Sequence, residues 1–227
     1  MRLDIVSDII LSHLFSTREI NFDELGYAVK EKCNQILSSL DSDIYTFSLQ
    51  KEFSDQTKGN IMLKLIENGI NIQAMFEFLD WKGFEIIIAA IFDKMDFTVL
   101  TNFHFKDEIT KYEIDVLAFK FPYLFLIDCK HYKTPNQSIM KTATLKQKER
   151  TEVLIEVFPI LYDELVSKLH LPIKRQIFLY PLIISWRNHE IQYYHEVPII
   201  AFSQLSGFLH EIDEFRFNLF HLPLELD

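Results

Sequence analysis

Apolar residues recur at helical spacing through the first forty positions. Ile5, Ile9, Ile10 and Leu14 form one stretch, and Phe22, Leu25, Val29, Cys33, Ile36, Leu37 and Leu40 form another. Asn21 followed by Glu24 fits a capping box opening the second stretch, and Asp41-Ser42-Asp43 ends it. Residues 44–53 alternate enough for a short strand or wing. Lys58-Gly59 reads as a break before a helix over 60–67, which Asn68-Gly69 closes. Residues 72–95 are helical with an interruption near Asp80, and carry Phe84, Ile87, Ile88, Ile91 and Phe92.

The period then changes. Residues 97–105, 111–119 and 123–131 read as strands, the last two joined by a tight turn at Lys120-Phe121-Pro122. A long amphipathic helix is expected over 137–169, then strands over 176–186 and 191–201, a short helix near 203–210 and a last strand near 215–222. This order predicts an α/β domain with a mixed sheet over 71–227. Residues 1–70 form a leading helical region, with room for a winged-helix-like arrangement.

With 48% hydrophobic and 14% aromatic residues, the chain can bury a full core. Only 5 glycines occur, with neither GxxxxGK[ST] nor GxGxxG, so no nucleotide cofactor is expected. Cys33 and Cys129 lie far apart and outside any CxxC, which suits a reducing, cytoplasmic setting. The longest apolar run, 86–92, is too short to span a bilayer, so no membrane partner is expected. The 8 histidines form no HxH or HExxH, which argues against zinc. The net charge is −10, yet residues 130–150 hold Lys130, Lys133, Lys141, Lys146, Lys148 and Arg150 against Glu149 alone. One basic segment in an acidic chain allows local phosphate contact and predicts weak non-specific binding.

Candidate chemistry gathers on two adjacent strands. In Glu113-Ile114-Asp115-Val116, strand alternation sends both acids to one face and Ile114 and Val116 to the other. In Ile127-Asp128-Cys129-Lys130, Asp128 and Lys130 likewise share a face. An isolated D-x-K triplet is most often a structural ion pair. Here an apolar strand precedes it, an acid-bearing strand joins it by a hairpin, and a Glu-bearing helix comes before both. Unpaired charge in such a place costs several kcal/mol (roughly, by transfer data). A bound divalent cation would offset it, because carboxylates are the hard oxygen ligands that magnesium prefers.

The arrangement resembles the PD-(D/E)xK nuclease superfamily, within it the Mrr-type and archaeal resolvase-like group. The residues that carry the resemblance are Trp81-Lys82-Gly83-Phe84-Glu85, Glu113-Ile114-Asp115-Val116 and Asp128-Cys129-Lys130, with His131-Tyr132-Lys133 continuing the last run. It covers about residues 71–152. Ile114 stands in place of the name-giving proline, and Asp128 in place of the commoner glutamate. The resemblance implies a restriction-endonuclease-like mixed sheet flanked by helices, and a Mg2+- or Mn2+-dependent deoxyribonuclease. In that reading Asp115 and Asp128 ligate the metal with the Cys129 backbone carbonyl, and Glu85 completes the shell directly or through water. Lys130 orients or helps deprotonate the attacking water. Gln147 touches substrate phosphate, with Lys133, Lys141, Lys146 and Lys148 as further contacts, and Glu113 stands behind the ligands. DNA is the expected partner, and residues 1–70 are expected to dimerise or to pack on the core. The alternatives are a branched-DNA (Holliday junction) resolvase and a non-catalytic member that binds nucleic acid or protein.

Overall fold

A computed structural model describes residues 53–70, 72–76, 79–132 and 136–226, together with 9–12, 26–28, 30, 31 and 35. Most of the two leading helices expected from the sequence, and the strand or wing over 44–52, lie outside the described residues. The chain forms two compact units, Met1–Ile91 and Phe92–Asp227. The expected nuclease-like domain opens at residue 71, whereas the unit that holds the sheet opens at Phe92.

In the first unit, α1 (Asp55–Glu67) starts at Ser54, whose hydroxyl accepts the Thr57 N–H at 3.2 Å. Gly59 does not break this helix, contrary to the sequence expectation. It is buried inside it, and a Cβ there would stand 2.6 Å from the Ala90 Cβ. The glycine is explained by close helix packing, not by a turn. Asn68 caps α1 and Gly69 follows with φ 84°, a left-handed conformation that glycine adopts without strain. The short α2 (Ile72–Met75) is separated from α3 (Trp81–Lys94) at Asp80, whose Oδ1 accepts the Gly83 N–H at 2.8 Å. The interruption read near Asp80 is therefore a helix start. The division between the two units falls within α3.

The second unit is a mixed sheet with flanking helices. β1 (Thr98–Lys106), β2 (Lys111–Lys120) and β3 (Tyr123–Lys130) are antiparallel neighbours, with Phe121-Pro122 as the two-residue turn between the last pair. The helix α4 (Gln137–Leu169) carries the chain to β4 (Arg175–Ser185), which lies parallel to β3. Then come β5 (Tyr193–Tyr194), β6 (Val197–Ala201), α5 (Leu205–Phe215) and β7 (Leu222–Leu226). The strand order is β1-β2-β3-β4-β6-β5, with β7 also pairing β4. A parallel β3–β4 pair needs a crossover, and α4 supplies it, so the basic segment after Lys130 lies against the sheet.

Two expectations change. The run 191–201 is a hairpin of two short strands, because His195 and Glu196 both take positive φ between them. The last strand begins at Leu222, since α5 runs to Phe215 and a 3-10 turn, Arg216–Asn218, follows. On the α4 side of the sheet, Leu117, Leu124 and Leu126 pack with Leu154, Phe158, Leu165 and Leu169. Around Phe125, the rings of Phe92, Phe97, Tyr123, Tyr180 and Phe208 form a second cluster.

Candidate active site

The β2–β3 ladder ends at the pair Val116↔Ile127. One step further, the chain places Asp115 opposite Asp128. The Cys129 N–H donates to Asp115 Oδ2 at 2.7 Å and ties the two strands at that point. Directly opposed residues of an antiparallel pair share a face, so the two carboxylates are neighbours.

Regular alternation fails around Asp115. On β1, Asn102 takes φ 53° and drops out of the ladder between Thr101↔Val116 and Phe103↔Ile114. Leu100 and Phe103 both join the α4-side core, three residues apart, a spacing that an unbroken strand does not allow. Ile114 and Leu117 do the same on β2, with Asp115 between them. Ile114 therefore does not share a face with Val116 in the way the sequence pattern implies.

Asp128 is 3% exposed, and its side chain meets two cations. Arg150 Nη1 donates to Oδ1 at 2.8 Å, and Lys130 Nζ lies 2.6 Å from Oδ2. The Lys130 ammonium is thus the partner of the buried Oδ2. Burial first, and then the charge of Asp128, push the Asp115 pKa up to about 6, against the pull of the Cys129 N–H, Lys130 and Arg150. Burial opposes the Lys130 charge, but the Asp128 and Asp115 carboxylates outweigh it and raise the Lys130 pKa. Lys130 is therefore an ammonium at neutral pH. As a cation it can offset charge and orient a water.

Gln147 is fully buried. Its Nε2 donates to Leu126 O at 2.8 Å, and its Oε1 accepts from Arg150 Nη1 at 2.9 Å. Both ends of the amide are used, so the expected phosphate contact by Gln147 is replaced by a supporting one: it holds Arg150. Arg150 is the residue that sequence reading passed over as one basic residue among several. Its signal was the spacing of three from Gln147 and four from Lys146 on one helix, which sets all three on neighbouring positions.

The basic residues of α4 separate into two groups. Lys146 and Arg150 line a cleft of about 280 Å³ together with Asp128, Lys130, Tyr132, Ser138 and Thr142. Lys141 instead lies 5.4 Å over the Tyr194 ring, and Lys148 lies 4.0 Å over the Phe220 ring. Lys133 lies outside the described residues. Glu113 is exposed, lies 3.7 Å from His104 Nε2, and lines a neighbouring cleft with Lys146 and Arg150. Glu85 is 8% exposed on α3, in the first compact unit. Cys129 contributes its N–H to Asp115, where the sequence reading expected its carbonyl to act.

Asp115 and Asp128 are the oxygen donors that a divalent cation would use here. Among the described residues Asp115 Oδ1 takes no hydrogen bond, whereas Asp128 Oδ2 already faces the Lys130 ammonium at 2.6 Å. Two carboxylate oxygens, with water for the remaining positions, match the habit of magnesium. Among the described residues no group of three His, Cys, Asp or Glu side chains could hold a metal ion, so Asp115 and Asp128 would act as a pair.

No family model and no curated protein matches the chain. Among solved structures it is similar to a protein of unknown function, AF1548, with 15% identity and a TM-score of 0.28, over 57% of this chain and 54% of that one. It is also similar to protein VC1899 from Vibrio cholerae, with 15% identity and a TM-score of 0.32, over 96% of this chain and 56% of that one. The chain thus spans little more than half the length of either. Among the described residues, no helix is long and apolar enough to cross a membrane.

Proposed function

We propose that this chain is a metal-dependent nuclease that hydrolyses phosphodiester bonds in DNA. The observation that carries the reading is the opposition of Asp115 and Asp128 on adjoining strands, with Lys130 2.6 Å from the second carboxylate. Burial, and after it the charge of Asp128, hold the Asp115 pKa up to about 6, an arrangement unfavourable for folding alone. Perturbed groups beside a cleft are characteristic of sites kept for chemistry.

Asp115 and Asp128 would hold Mg2+ or Mn2+. When bound, such a cation polarises a phosphoryl oxygen and lowers the pKa of its water. Lys130 remains charged and offsets the negative charge that grows on the phosphoryl oxygens. Lys146 and Arg150, on the cleft wall, would position a neighbouring phosphate without reading sequence. Gln147 fixes the Arg150 side chain from below through its own anchor on Leu126 O.

Supercoiled plasmid incubated with Mg2+ or Mn2+ tests the reading. The wild type should nick or linearise it, and Asp115→Asn and Asp128→Asn should not. Cutting by both variants at the wild-type rate would assign the activity elsewhere. Comparing a four-way junction with linear duplex of the same sequence separates a resolvase from a general nuclease. One observation favours a second reading, binding without turnover: Asp128 already carries two protein cations, Lys130 and Arg150. In that case the wild type binds DNA and cuts neither substrate.

A further inference from the structure

We infer that Lys130 and Arg150 act as built-in counter-ions that keep the cation site weak until a nucleic-acid phosphate arrives, so that metal and nucleic acid bind with positive coupling. This rests on the nuclease reading and adds a mode of regulation to it. The argument begins with charge. Asp115 and Asp128 carry two negative charges when ionised, and Lys130 and Arg150 carry two positive ones. The cluster is neutral as it stands. A divalent cation placed on the same carboxylates would meet the Lys130 ammonium, which already lies 2.6 Å from Asp128 Oδ2, and the Arg150 guanidinium on Oδ1. In a site where Asp128 is 3% exposed, that repulsion is poorly screened.

The same two cations also face the cleft. Both line the cleft with Lys146, Ser138, Thr142 and Tyr132, a wall of three positive side chains against one acid. Among the described residues only Arg150 Nη1 is engaged, toward Asp128 and Gln147, so the rest of its donor fork is open to an anion. A phosphodiester in the cleft supplies the negative charge that the added cation requires. Linkage then demands reciprocity: what nucleic acid does for the metal, the metal does for nucleic acid. Gln147 makes the arrangement specific to Arg150. Its buried amide is anchored on Leu126 O, so the guanidinium is held on Asp128 from a fixed post.

The test measures Mn2+ binding, from the electron paramagnetic resonance signal of free Mn2+. Titrations are run with and without a phosphorothioate duplex that resists cleavage, and duplex alone is the blank. The wild type should bind Mn2+ weakly by itself and about tenfold more tightly with the duplex. Arg150→Gln should bind Mn2+ about tenfold more tightly than wild type without duplex, and Arg150→Lys, which keeps the charge, should not. Asp115→Asn should abolish the binding in every arm. If Arg150→Gln folds and binds no more tightly, or if the duplex leaves the wild-type affinity unchanged, the coupling is overturned while the nuclease reading survives. Should Arg150→Gln fail to fold, the duplex arm on the wild type decides alone. Absence of any Asp115-dependent Mn2+ binding, with or without duplex, overturns both.

Discussion

Asp115 and Asp128 face each other one step beyond the last ladder pair of β2 and β3, yet their surroundings are opposite. Asp128 meets two cations, while Asp115 accepts one backbone N–H and bears its neighbour's charge. The same chemical change at each should therefore move stability in different directions.

Asp115→Asn should stabilise the protein above pH 6. The folded pKa of about 6 exceeds the ordinary 3.8, so wild-type stability is full below the lower value and is lost as pH rises through the higher one. The shift corresponds to about 2 kcal/mol after discounting for partial exposure. Urea unfolding of both proteins at pH 4.5 and pH 8 checks this (conditions chosen about the linkage window): a gain confined to the higher pH is expected, and no gain there refutes it.

Asp128→Asn should destabilise by about 3 kcal/mol, because it leaves Lys130 and Arg150 partly buried beside a neutral amide. The same urea series at pH 8 measures it. A variant as stable as the wild type would show that these ion pairs carry no net stability.

Cation affinity should fall with acid. A proton competes for Asp115 below its pKa of about 6, so Mn2+ should bind about tenfold more weakly at pH 5 than at pH 7. Titrations across that range report it directly, and a flat profile would remove Asp115 from the ligand set.

Lys146→Ala should weaken DNA binding and reduce the slope of log affinity against log salt by about one, since one phosphate contact is lost. Lys148→Ala should leave that slope unchanged, because its ammonium lies on the Phe220 ring. Salt-dependent anisotropy with labelled duplex compares them, and equal slopes for the two variants would dissolve the distinction.

Gly59→Ala tests the packing of the first unit. Alanine favours a helix interior by about 1 kcal/mol over glycine. Its Cβ, however, would stand 2.6 Å from Ala90 Cβ and 3.3 Å from Ile86 O. Overpacking of this kind costs about 1–3 kcal/mol, so a net loss in thermal stability is expected. A rise in Tm would show that the helices separate easily.

Periodicity was sufficient for the elements whose burial is uniform along their length. The hairpin β2–β3 and the crossover helix α4 were legible, because two apolar runs flank a short turn and the helix is amphipathic; near Asp80 only an interruption was legible, and the structure makes it a helix start. The spacing of Asp115, Asp128 and Lys130 likewise follows from two strands and a short turn. Four things were not legible. Gly59 reads as a breaker because the sequence does not reveal that Ala90 needs the room. The run 191–201 reads as one strand, since the turn at His195-Glu196 contains no glycine or proline. The irregularity at Asn102, which sets Asp115 apart from strict alternation, leaves no trace in composition.

The fourth is the partition of α4. The sequence by itself determined that a basic helix would follow the Asp128–Lys130 strand, because connectivity and local periodicity act over a few residues. Only the tertiary structure decided that Arg150 reaches Asp128 and Lys146 lines the same cleft, while Lys148 lies on an aromatic ring and Gln147 is buried as a support. That choice depends on the rotation of one helix against a sheet, which is set by packing between residues distant in the chain.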